Sequence, residues 1–152
     1  MFKRNINKMS EKTLEDKAID FKGKKYVLVA DRVLYFNEKY PKGSIKTELI
    51  SKPEDKMVIV KATVNPSDDS GQTFNGYSQA IWGEGYINKT SALENAETSA
   101  VGRALAFMGI GVIESIASID EINKTTYQKK VSTKDYQNKN KQDKEDGIDP
   151  FD

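Results

Sequence analysis

Nothing constrains this chain more than the run Ser91-Ala-Leu-Glu-Asn-Ala-Glu-Thr-Ser-Ala-Val-Gly-Arg-Ala-Leu-Ala-Phe-Met-Gly109, rich in small residues and carrying Arg103 as its single cation. Its composition favours helix, and a helix of small residues can press its backbone close to a sheet because little side chain stands between them. Ser91 and Glu94 have capping-box spacing, so the start is expected there. Gly109 suits the left-handed residue that ends a helix. Leu93, Ala96, Ala100, Val101, Ala104, Leu105 and Met108 recur at helical spacing and predict one wide apolar face. An arginine on such a face needs a partner, either a carboxylate such as Glu84 or a ligand phosphate.

Three strand-like runs precede that helix. Ser44 to Ile50 alternates, Met57 to Val64 is rich in valine and isoleucine, and Phe74 to Trp82 completes an antiparallel meander. Short connections with turn residues, Lys52-Pro-Glu-Asp-Lys56 and Asn65-Pro-Ser-Asp-Asp-Ser-Gly71, separate them. Earlier still, Val29, Val33, Phe36 and Tyr40 share helical spacing and stop at Pro41-Lys-Gly43. The expected fold class is α+β: a helix, a three-stranded antiparallel meander, a long packing helix, then a disordered tail.

The chain has 152 residues, enough for one modest core. A flexible basic segment is expected over 1–24, a folded core over 25–123 and the tail over 124–152. There is no cysteine and no histidine, which excludes thiol nucleophiles, disulfides, the usual Cys/His zinc sites and any histidine base. No cofactor is implied. The sequence has no apolar run near ~20 residues and no signal-length stretch at its start, so a soluble, cytoplasmic protein is expected.

Order and motifs together resemble the single-strand annealing proteins of recombination, the Rad-type eukaryotic proteins and their phage counterparts of the Sak and Erf groups. Thr98, Val101, Arg103, Ala104, Leu105 and Gly109 fall in register with the helix that closes that family's core. Gly83-Glu-Gly85-Tyr86 is similar to the turn leaving its third strand, and Tyr26 to Val33 with Phe36-Asn37 resembles its first helix. The similarity spans roughly Tyr26 to Gly111. It implies a phage protein that binds single-stranded DNA, forms a homo-oligomeric ring or helical filament, and promotes strand pairing in recombination and repair. Neither ATP nor catalysis is implied. The chain departs from the family pattern where a lysine would precede the arginine: it has Gly102 there, and Ala106 at a later basic position. Part of the DNA-contacting charge must then come from elsewhere.

Arg103 is the leading candidate contact, joined by Lys89 at the helix entrance, Lys46 and Lys61 on strands, and Lys24 and Lys25, with Lys22, before the first helix. Global charge gives little support. Residues 1–25 hold eight Lys/Arg against four Asp/Glu, whereas 26–121 hold nine against thirteen. In a repeating oligomer a few cations per subunit can still form a continuous track. Aromatic rings add a second means of holding single strands. On a period-two strand Tyr77 lies on the face opposite Phe74, Gly76, Ser78, Ala80 and Trp82, so Tyr77 is the expected exposed platform. Trp82 is expected to pack beneath the Arg103 helix.

The tail divides by charge. Residues 124–144 carry seven lysines against Asp135 and Asp143, and 145–152 carry four acids and no base. Its end resembles the acidic tip of bacterial single-stranded DNA-binding proteins, which implies partner recruitment through Ile148, Asp149, Pro150 and Phe151, with Asp152 following the phenylalanine. A tethered acidic segment can also compete for a basic groove.

Two other functional classes follow from these features. A protective single-stranded DNA-binding protein of the barrel type would need five strands, and three are evident. A metal-dependent nuclease would need its carboxylates gathered, and Asp31, Glu48 and Glu84 lie far apart in sequence without a metal-ligand spacing.

Overall fold

The computed structural model describes residues 13–116, all within one unit, Met1–Ile116. The basic-then-acidic tail, with Ile148, Asp149, Pro150 and Phe151, lies outside the described residues. A short 3-10 turn, Glu15–Lys17, comes first, then two short strands, β1 (Ile19–Phe21) and β2 (Lys24–Tyr26), and helix α1 (Val29–Lys39). Strands β3 (Ser44–Leu49), β4 (Met57–Asn65) and β5 (Phe74–Ile81) follow, and helix α2 (Ala92–Phe107) closes the series. The class is α+β, with the meander and both long helices where the periodicity puts them.

β3, β4 and β5 form an antiparallel sheet in that order. Alternation along β4 buries Val58, Val60, Ala62 and Val64 and turns Met57, Ile59, Lys61, Thr63 and Asn65 to the opposite face. The buried face receives α2. Ala92, Ala96, Ala100 and Ala104, spaced by four, are fully buried there together with Leu105. Ala100 and Ala104 sit so close to β5 that a Cβ on Gly76 would overlap the Ala100 carbonyl oxygen and the Ala104 nitrogen. Helix backbone and strand backbone are therefore in direct contact. The core contains few large side chains, so its cohesion comes from this close approach and the many dispersion contacts it permits. Phe36 of α1 supplies the largest fully buried side chain and stacks with Tyr40, ring centroids 5.3 Å apart.

The ends of α2 differ in how they are made. At the C-terminus Gly109 takes φ 89°, its N–H bonds to the Ala106 carbonyl and that of Ile110 to the Leu105 carbonyl. That pair of bonds is the Schellman motif, and buried Ile110 follows it. At the N-terminus the expected capping box is absent: Ser91 occupies the N-cap but makes no side-chain bond into the helix. A 3-10 turn, Ile87–Lys89, precedes α2 with Thr90 and Ser91 between, and the Ser91 N–H bonds back to the Ile87 carbonyl. The start is fixed instead by Asn95 Nδ2 donating to Oδ1 of buried Asn88 at 2.9 Å, while Gly83 N–H bonds to the Asn88 carbonyl at 2.8 Å. Leu93 departs from the expected apolar face and is exposed, because the sheet side of this turn is filled by Ala92 and Ala96.

The hairpin of β1 and β2 was not foreseen from the sequence. Lys22 and Gly23 both have positive φ, 52° and 78°, as the inner residues of a two-residue type I′ turn must. Asp20 Oδ1 accepts the Gly23 N–H and steadies it. Strands of three residues give no readable alternation, and this run of lysines reads as a charged segment.

Gly76→Ala is expected to destabilise the domain by ~2–3 kcal/mol, since the added methyl must push α2 away from β5. Urea unfolding would measure it, and a variant as stable as the parent would show that the helix can lift without loss.

Candidate nucleic-acid interface

The face of the sheet away from α2 carries no described helix. Register sets its side chains in rows. Glu48 of β3, Lys61 of β4 and Tyr77 of β5 stand side by side. In the next row are Lys46, Thr63 and Asn75, with the Thr63 hydroxyl donating to Asn75 Oδ1 at 2.9 Å. Ile59 and Gln79 form another. Tyr77 is 54% exposed, as the alternation of β5 predicts. Lys61 is half-buried by its neighbours and lies 3.8 Å from the Glu48 carboxylate. Three of the residues expected to contact nucleic acid, Lys46, Lys61 and Tyr77, are thus brought onto one surface by strand pairing.

The remaining candidates lie elsewhere. Arg103 is on α2, hence on the helix side of the sheet, half-buried with its guanidinium carbon 5.7 Å from the Phe107 ring centroid. Lys89 is exposed on the 3-10 turn before α2. Lys24 and Lys25 are exposed on β2, where the Lys25 N–H reaches Glu114 Oε1 at 3.4 Å. The first turn of α2 carries Glu94 and no cation, so its own carboxylate already meets the positive end of the helix dipole.

Trp82 does not pack in the core as expected and is 39% exposed. β5 ends at Ile81, the Trp82 N–H bonds to the Lys56 carbonyl, and Gly83 then turns the chain at φ 79°. The following loop leaves Tyr86 almost fully exposed.

The buried cation of the domain is Arg32. It is 2% exposed; its Nε donates to the Val27 carbonyl at 3.0 Å and its Nη1 to the Gly102 carbonyl at 3.2 Å. The Tyr26 ring lies 4.9 Å from the guanidinium carbon. Burial lowers the guanidinium pKa, with Tyr26 acting in the opposite direction, but an arginine stays charged at any ordinary pH. The signal was present in the sequence: Arg32 lies three residues after Val29 and four before Phe36, on the face those two define. This arrangement also accounts for Gly102. A Cβ there would come 2.7 Å from Val29 Cγ2, where α1 and α2 meet, so any side chain at that position would force Val29 to shift.

Among the described residues no three acidic side chains gather into a group able to hold a metal ion. Asp31 instead pairs with Lys17 at 3.6 Å and Glu48 with Lys61. No helix among the described residues is long and apolar enough to cross a membrane.

The architecture defines a class, an α+β domain that buries one face of a three-stranded sheet under helices and leaves the other open. Residues 33–108, half of the chain and the stretch from α1 to the end of α2, match the family described as Slr1353 N-terminal dsRNA-binding domain-like, and the chain belongs to that family. The family is thus described by likeness to a nucleic-acid-binding domain. Comparison with curated proteins and with solved structures gave no match.

Arg32→Ala is expected to cost about 3 kcal/mol or more, because two buried carbonyls lose a charged donor and a cavity opens. Arg32→Lys should recover little of this, since one ammonium on a flexible stem does not reproduce the planar fork. Urea titrations of both variants would check it, and full recovery by lysine would show that charge alone is needed.

Proposed function

We propose that this chain binds single-stranded nucleic acid on the open face of its sheet and, as its motifs' resemblance implies, promotes annealing of complementary DNA strands without ATP or catalysis. The observation that carries the reading is the row in which Tyr77 stands exposed beside Lys61, with Lys46 one row away. A flat surface combining a free aromatic ring with cations suits a strand whose bases stack on the ring while its phosphates meet the ammonium groups. Such a grip leaves the base edges open for pairing. Membership of a family described as like a double-stranded-RNA-binding domain supports nucleic acid as the partner.

That same description favours a second reading, recognition of duplex RNA by shape and backbone contacts. The two differ in what they ask of Tyr77: an unpaired base can stack on a side chain, whereas bases within a duplex are already stacked on one another. Protective coating of single strands uses the same surface without accelerating pairing.

Oligomerisation belongs to this proposal. β3 and β5 are the edges of the sheet and are paired on one side only among the described residues. Repetition of one interface along such edges closes a ring or extends a filament. A phage recombination or repair role in the cytoplasm of an infected bacterium, with a partner engaged through Ile148 to Phe151, follows from the resemblance.

Annealing of two labelled complementary oligonucleotides, at several salt concentrations, tests the reading alongside competition by duplex RNA. Tyr77→Ala should weaken single-strand binding by ~1–3 kcal/mol while the domain stays folded. If Arg103→Ala abolishes binding and Tyr77→Ala does not, the contact surface lies on the α2 side. If duplex RNA displaces the single strand readily, the second reading holds. Binding without faster pairing would leave strand protection.

A further inference from the structure

We propose that Glu48 is a built-in competitor for the nucleic-acid backbone at Lys61, keeping the strand loosely held; the inference rests on the sheet-face reading above. Register fixes Lys61 between Glu48 and Tyr77, so whatever stacks on the ring brings its phosphates near an ammonium group that already has an anion beside it. Glu48 Oε2 lies 3.8 Å from Lys61 Nζ. The two side chains are unequally exposed, 62% for Glu48 and 28% for Lys61. The carboxylate can therefore swing into water at little cost, whereas the lysine stem is held by its neighbours on β4. An exposed pair of this kind is weak, and a phosphate oxygen can replace the carboxylate with a contact of the same chemistry.

Glu48 is also the only acid that the strands place on the open face, where the cations are Lys46 and Lys61. Removing its charge doubles the net positive charge of the strand residues there. A phosphate bound at Lys61 must displace Glu48, and on departing it is replaced by it, which favours exchange of strands over retention. That property suits a protein whose bound strand must leave as a duplex.

The test uses fluorescence anisotropy of a labelled oligothymidylate with the full chain, Glu48→Gln, Lys61→Gln and the double variant, at low and moderate salt. Both sites are at the surface, and circular dichroism confirms the fold of each variant. Glu48→Gln is expected to tighten binding by about threefold at low salt, with less gain as salt rises. In the Lys61→Gln background the same change should gain almost nothing, because the object of competition is gone. An equal gain in both backgrounds would show diffuse repulsion by Glu48 and overturn the proposal, as would unchanged affinity in Glu48→Gln. Binding that falls in Tyr77→Ala and Lys61→Gln but ignores Glu48 defeats this inference alone. If the parent chain does not bind the oligonucleotide, the sheet-face reading fails and this inference with it.

Discussion

The contact of Gly76 with the backbone of α2 at Ala100 and Ala104 is the constraint on which the rest of this domain depends. Any side chain at position 76 would hold the helix away from β5, and the alanines at 92, 96, 100 and 104 would then no longer reach the valines of β4. A core with few large side chains gains much of its cohesion from short separations, so a small outward step of the helix forfeits many contacts together. The open face inherits this rigidity. Because β4 and β5 are clamped from behind, Lys61 and Tyr77 keep their register.

Arg32 joins the helices in a comparable way. Its guanidinium spans from the carbonyl before α1 to the Gly102 carbonyl in α2, and the Tyr26 ring covers it. Two glycines make space for this, Gly102 against Val29 and Gly111 against the Arg32 side chain. A buried charge satisfied by backbone carbonyls specifies one arrangement of the helices more sharply than apolar packing, since any shift leaves a donor and an acceptor unmet. The glycine at 102 is thus accounted for by how this chain packs its two helices.

The elements that were legible in the sequence were those with a long period. Alternation from Met57 and from Phe74 located β4, β5 and the opposed faces of Tyr77 and Gly76; the alanine-rich run located α2 and its tight packing. Local rules did less well where tertiary context competed. Ser91 and Glu94 have the spacing of a capping box, but the 3-10 turn and the Asn88–Asn95 bond set the helix start. Trp82 has the parity of a core position, but β5 stops one residue before it. Arg103 is the conspicuous cation on an apolar helix, but the cation buried by the fold is Arg32, which lies at helical spacing from Phe36. Which lysines share a surface with Tyr77 depends on cross-strand register. Pattern within one strand does not contain it, and only pairing of β3, β4 and β5 put Lys46, Lys61 and Glu48 together.

Charge on this domain is distributed in a way that bears on how tightly it can hold a polyanion. Residues 26–121 carry more acid than base, so this part of the chain does not by itself draw a polyanion in from a distance, and attraction to it must come from contacts within a Debye length, ~8–10 Å at ordinary salt. The cations that the open face offers are two lysines, one of them shared with a carboxylate. Phosphate contacts this few give a shallow dependence on salt and a modest affinity per subunit. In the proposed mode of binding, stacking on Tyr77 would supply a larger share of the hold than it would in a strongly basic protein, and stacking is the component that ends when the base joins a duplex. On the proposed reading such a surface would grip single strands mainly through what pairing removes, so that formation of the duplex would weaken its own attachment.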